Sequence, residues 1–140
     1  MTTPLLFTPM RLRELTVKNR IVVAPMHQYS AERGFPTDWH IMNAGRFAAG
    51  GAGLVMLEST KVERRGCGTV GDLGLWDDRF IPGFKRLGDF IRQCGAAAGR
   101  MAVVPHRVPG AALRRRREED AEREVPQGGL QRPLGAEELR

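Results

Sequence analysis

Cysteine is scarce in this chain, and its two residues, Cys67 and Cys94, stand far apart. That count excludes a disulfide framework, and the spacing excludes the close pairs of a zinc site. Long apolar runs are missing too. No stretch approaches the ~20 residues of a membrane helix, and the first residues lack the basic-then-apolar pattern of a signal peptide. The expectation is a soluble, cytoplasmic protein that spans no membrane. The sharpest absence is regional. Residues 100–140 contain no Ile, Phe, Tyr, Trp, Ser, Thr, Asn, Lys or Cys, and Arg, Ala, Gly, Pro, Glu and Val dominate. Without large apolar side chains such a segment cannot offset its chain entropy. The chain therefore divides into a domain-like part, 1–99, and a low-complexity Arg/Ala/Gly/Pro/Glu-rich tail, 100–140, expected to be irregular or helical.

The net charge of +6 suggests nucleic acid at first sight. The run Arg114-Arg115-Arg116-Arg117 is answered at once by Glu118-Glu119-Asp120, and at i,i+4 spacing these charges neutralise each other along a solvated helix face. Nucleic acid is not expected as a partner. A small basic nucleic-acid-binding module remains a rival reading, which strongly salt-dependent DNA affinity would favour.

Before residue 100 the pattern is orderly. Leu6 to Val17 offers short extended pieces broken by Pro and charge, suited to a hairpin or lid. Ile21-Val22-Val23-Ala24 is a β-branched run typical of a strand buried on both faces. Thr37 or Asp38 caps a helix from His40 to Ala49 that Gly50-Gly51 ends. Gly53 to Glu58 is a second strand, finishing in the polar Glu58-Ser59-Thr60, and a long loop follows from Lys61 to Trp76. Asp77 or Asp78 caps a second helix, with Pro82 in its first turn. Phe80, Ile81, Phe84, Leu87, Ile91 and Cys94 lie on one face of that helix. Gly95 to Gly99 ends it, and a third strand is due. This alternation predicts a parallel α/β sheet. Both polar strand ends are C-terminal ends, the arrangement of a (β/α)8 barrel, although an open doubly wound sheet fits the two units equally well.

Gly50-Gly51-Ala52-Gly53 closes a helix and enters a strand, the reverse of a dinucleotide loop, so these are turn glycines. Pro25-Met26-His27-Gln28-Tyr29 is more telling. Pro25 cannot continue a ladder, Ala24 allows close approach of a flat ring, Met26 is a polarizable wall, and His27 can donate or accept a hydrogen bond.

Phe7-Thr8-Pro9, Lys18 through Met26, Gln28-Tyr29-Ser30, Thr37-Asp38-Trp39-His40, Gly51 through Val55, Glu58-Ser59-Thr60 and Asp72 through Trp76 together resemble the N-terminal region of the Old Yellow Enzyme family. The similarity is greatest to its short, bacterial, thermophilic-like class, and it covers nearly all of residues 6–99 in order and spacing. It implies the N-terminal fragment of a (β/α)8 TIM barrel and an FMN-dependent ene-reductase. Such an enzyme takes hydride from NADH or NADPH and passes it to an activated alkene; full-length relatives are often homo-oligomers. The resemblance puts Ala24, Pro25, Met26 and His27 along the flavin ring, Ser59 beside it, and Tyr29 on the substrate pocket. His40, Glu58 and the loop from Arg64 to Trp76 match as structural supports.

Two departures stand out. Where His27 stands the family usually has Cys or Thr, and a histidine, which can be cationic, would favour reduced, anionic flavin. After Gly99 the family's third strand should read approximately Ile-Gln-Leu-x-His-x-Gly-Arg, but Arg100 to Arg107 reads otherwise, and His106 is assigned no role. The family's substrate-binding His or His/Asn pair, its proton-donating tyrosine and its late phosphate loops have no counterpart, so no catalytic residue is assigned. A shifted reading frame in a GC-rich gene accounts for the tail's bias, with a genuine divergent tail as rival. A chain of this kind is expected to bind FMN weakly or not at all and to associate through exposed strand edges. A non-functional open-reading-frame fragment is the other rival.

Overall fold

The structure is a computed structural model, and it describes residues 3–104. The tail from residue 105 onward, with its Arg114–Arg117 run and His106, lies outside the described residues.

The expected hairpin is present: β1 (Met10–Leu12) pairs antiparallel with β2 (Leu15–Val17), and Leu12 faces Leu15 across a two-residue turn. The main sheet is parallel. β3 (Val22–Val23) pairs with β4 (Leu54–Lys61), and β4 pairs along its other edge with β6 (Ala97–Val103). Above β3, the same edge of β4 takes the short β5 (Leu73–Gly74), joined at Thr60 and Lys61. Helix α1 (Asp38–Ala49) links β3 to β4, and α2 (Ile81–Gln93) links β4 to β6. The order β-α-β-α-β around a parallel sheet is what the alternation predicts.

Three expectations need correcting. The first strand is not buried on both faces: Val22 is 45% exposed, because among the described residues β3 pairs only with β4 and nothing covers its far side. The second strand does not stop at Glu58 but runs to Lys61, so the supposed loop from Lys61 is in part sheet. The third strand begins at Ala97 rather than after Gly99. Gly95 alone, at a φ of +83° that favours glycine, turns the chain out of α2, and β6 runs through the 99/100 position.

The core sits between the helices and β4. Ala44 and Ala48 of α1, Leu87 and Ile91 of α2, and Val55 of β4 form one buried cluster with Ala52 and Ala96. Burying Leu87 and Ile91 stabilises the fold by roughly 1.5–3 kcal/mol each. Small residues on α1 let the helices approach. A Cβ on Gly45 would lie 2.4 Å from the Phe90 ring, so the glycine serves as its notch. On α2 the predicted face holds for Leu87 and Ile91, while Ile81 is 52% exposed, displaced by a 3-10 turn at Asp78–Phe80. Asp77 caps that turn, and Pro82 stands in the first turn of α2 as expected.

Candidate functional site

Beyond Val23, paired with Val55, the chain leaves the sheet. Pro25, lacking an N–H, marks the exit. Ala24 and Met26 line a cleft with Asn43, Phe47, Met56 and Glu58. His27 Nδ1 lies 3.2 Å from Glu58 Oε2 and 3.7 Å from Asp72 Oδ1. Its ring lies parallel to that of Tyr29, with centroids 5.2 Å apart.

A bulge decides what β4 contributes. The pairing with β6 shifts register between Leu57 and Ser59, leaving Glu58 as the extra residue. Val55 and Leu57 face the helical core. The inserted residue reverses the alternation, which turns Ser59 and Lys61 to the opposite side. There Lys61 Nζ donates to Ser59 Oγ at 2.7 Å and lies 3.9 Å from Asp72 Oδ2. Asp72 also accepts from the Gly68 N–H and the Thr69 hydroxyl. His27 and Ser59, far apart in sequence, are thus linked through Asp72 and Lys61. Ser59 is buried, at 4% exposure, and its hydroxyl is taken by Lys61.

Glu58 itself spans both sides. One oxygen takes a hydrogen bond from His40 Nε2 at 3.0 Å, and the other accepts from the Gln28 N–H at 3.1 Å. His40 Nδ1 accepts from the Thr37 N–H at the start of α1, so the proton of this imidazole is on Nε2 and the bond to Glu58 is charge-assisted. The Thr37 hydroxyl donates to the Ser30 carbonyl. Helix start, strand end and the 24–30 segment are therefore tied by one buried network. The expected supports, His40 and Glu58, are its centre.

Tyr29 is 61% exposed and holds a φ of +53°, sparsely allowed for a side chain of its size. Gly71 fixes it there. The Ala31 N–H bonds the Gly71 carbonyl, and a Cβ on Gly71 would lie 2.3 Å from the Tyr29 oxygen. Gly71 and Asp72 belong to the Arg64–Trp76 loop expected as a structural support, whereas Lys61 was given no role; a lysine directly after Glu58-Ser59-Thr60 was its only signal.

Of the six predicted site residues, Ala24 and Met26 line one cleft, His27 is linked to Ser59 through Asp72 and Lys61, Pro25 marks the exit from the sheet, and Tyr29 stands exposed at the rim. The exposed Ala24, Met26 and Tyr29 and the single imidazole offer an apolar and aromatic wall at the C-terminal strand ends. That chemistry fits one side of a planar aromatic ring system such as a flavin.

The sequence profile of the NADH:flavin oxidoreductase / NADH oxidase family matches residues 5–135. The NADPH dehydrogenase of Listeria monocytogenes serotype 4a is 44% identical over 112 residues, covering 74% of this chain and 33% of the relative. The chain thus spans about a third of the length of the curated relatives it matches. Among solved structures, morphinone reductase superposes with a TM-score of 0.65 at 27% identity, over 72% of this chain and 26% of that one. The Old Yellow Enzyme homologue from Zymomonas mobilis gives 0.62 at 29% identity, over 71% and 28% respectively. No helix among the described residues is long and apolar enough to cross a membrane. With the β-α-β-α-β order and the strand-end wall already in place, the chain belongs to the NADH:flavin oxidoreductase / NADH oxidase family.

Proposed function

We propose that this chain carries part of an FMN-dependent NAD(P)H oxidoreductase of the Old Yellow Enzyme type. The described residues would supply one wall of the flavin site. The observation that carries this reading is the strand end itself: Ala24, Pro25, Met26 and His27 freed from the ladder, with Ser59, past the Glu58 bulge, linked to His27 through Lys61 and Asp72. FMN, when bound, supplies the hydride chemistry between NADH or NADPH and an activated alkene such as an enone. The chain's own residues hold and orient. Ala24 to His27 would flank the ring, Ser59 would pack beside it, Tyr29 would face the substrate, and Glu58 keeps the segment in place. A cytoplasmic location and homo-oligomeric full-length relatives belong to the same proposal.

The division at residue 99/100 and a shifted reading frame beyond it are proposed with it. The exposed edge residues Val22 and Met101 favour self-association of a chain that makes only part of a barrel. The test is to read the coding DNA in the other two frames from the Gly99 codon, and to purify both the chain as it stands and the repaired product. The expected result is Gln-Leu-x-His-x-Gly-Arg in another frame, a colourless chain without NAD(P)H oxidation, and a yellow repaired protein that reduces an enone. A yellow, active 140-residue chain, or no barrel sequence in either frame, overturns the proposal.

A further inference from the structure

We infer that Glu58 is a positioning residue for His27: its buried carboxylate holds the proton of the neutral imidazole on Nδ1, so that the ring offers an unprotonated Nε2 to the open side. The inference rests on the flavin reading only for what Nε2 would meet. The tautomer itself follows from the geometry.

Glu58 has little freedom. Its side chain is 1% exposed, one oxygen is held by His40 Nε2, and the other accepts from the Gln28 N–H. That second oxygen lies 3.2 Å from His27 Nδ1. Asp72 Oδ1, from the loop before β5, lies 3.7 Å from the same nitrogen, with its own carboxylate held by Gly68, Thr69 and the more distant Lys61. Tyr29 covers one ring face. Nδ1 is fully buried, and Glu58 Oε2 stands off the line of an ideal hydrogen bond to it. Even off that line, a lone pair on Nδ1 would face two carboxylate oxygens, whereas an N–H there is attracted to both. Since the His27 side chain keeps 32% of its surface while Nδ1 has none, the exposed part is the remainder of the ring.

The consequence is a pair of histidines set against one carboxylate with opposite tautomers, His40 hydrogen-bonded to it through Nε2 and His27 facing it with Nδ1. An unprotonated Nε2 accepts hydrogen bonds, so it would select an N–H on a ligand edge over a carbonyl. A thiol or hydroxyl at this position could donate as well as accept.

The test is 15N magic-angle-spinning NMR of the sedimented chain with labelled histidine, at about pH 8.5, above the usual imidazole titration. Sedimented protein tolerates self-association. For wild type, His27 should show protonated Nδ1 and unprotonated Nε2, and His40 the reverse. In Glu58→Gln the single amide oxygen cannot serve both His40 Nε2–H and the position shared by the Gln28 N–H and His27 Nδ1–H, so whichever imidazole meets the NH2 should invert its tautomer. In Asp72→Asn the wild-type tautomer should persist. A wild-type His27 protonated on Nε2 overturns the inference, as does a folded Glu58→Gln chain with both histidine tautomers unchanged or a tautomer that is lost in Asp72→Asn. If Glu58→Gln unfolds, the wild-type and Asp72→Asn spectra decide. No flavin is present in this experiment, so FMN binding, measured separately by flavin fluorescence, can fail without touching the tautomer.

Discussion

The two parallel strand ends are built on opposite principles. β3 ends by leaving the sheet, with Ala24 exposed, Met26 at 54% and Tyr29 at 61% exposure. β4 ends by gathering charge inward, with Glu58, Ser59, Thr60 and Lys61 all buried. The difference shows how a surface can be apolar, exposed and still ordered. The 24–30 segment has little packing of its own and takes its shape from the buried carboxylate next door.

The largest effect expected is from removing that carboxylate. Glu58→Ala leaves the His40 N–H and the Gln28 N–H without their acceptor and should cost about 1–3 kcal/mol for each orphaned donor in urea denaturation. If the cost is under about 1 kcal/mol, the comparison fails, since the network would then hold nothing. Gly71→Ala sharpens it by attacking the rim from the other side. The new Cβ meets the Tyr29 carbonyl, and a cost of about 1–3 kcal/mol is expected, with Tyr29 displaced from its stacking on His27. An unperturbed Tyr29 resonance would show that Gly71 does not set its conformation. Met26→Ala, at the exposed end, should change stability by less than about 0.5 kcal/mol; a core-sized loss would mean that this side chain is packed rather than displayed.

Arg79 holds the Asp77 carboxyl below its ordinary range, mainly by the side-chain hydrogen bond. Lys85, and then Arg92, does the same for Asp89. A depressed folded-state value adds stability above the unfolded carboxyl range, and that stability disappears as pH falls through the folded value. Both groups lie on the surface, so Asp77→Asn and Asp89→Asn should alter only a small part of the acid limb, below about pH 4. Circular dichroism against pH checks this, and a change near neutrality would contradict it.

Much of this was legible in the sequence. The β-branched run at Ile21–Ala24, the cap at Thr37, the glycines after each helix and the Pro25 exit are local signals, and local chemistry made each of them. What sequence could not give was the bulge. Nothing in Leu57-Glu58-Ser59 announces an extra residue, because a bulge is a mismatch with β6 rather than a property of β4. The lysine that occupies the Ser59 hydroxyl was hidden with it. The exposure of Val22 was equally hidden, since burial depends on neighbours that the described residues do not provide. Gly71 matters only because Tyr29 folds back onto it.

The central claim is that the end of β3 is one wall of a flavin site. The most direct measurement adds FMN to the chain labelled with 13C-methyl methionine and 15N histidine, and follows Met26 and His27 against Met42 of α1, which is also exposed, at 46%. The account predicts saturable shifts at Met26 and His27, none at Met42, and an affinity near the millimolar range, about −4 kcal/mol, because the described residues offer one wall alone. Shifts of equal size at all three, or none at Met26 and His27 with FMN in large excess, would contradict it.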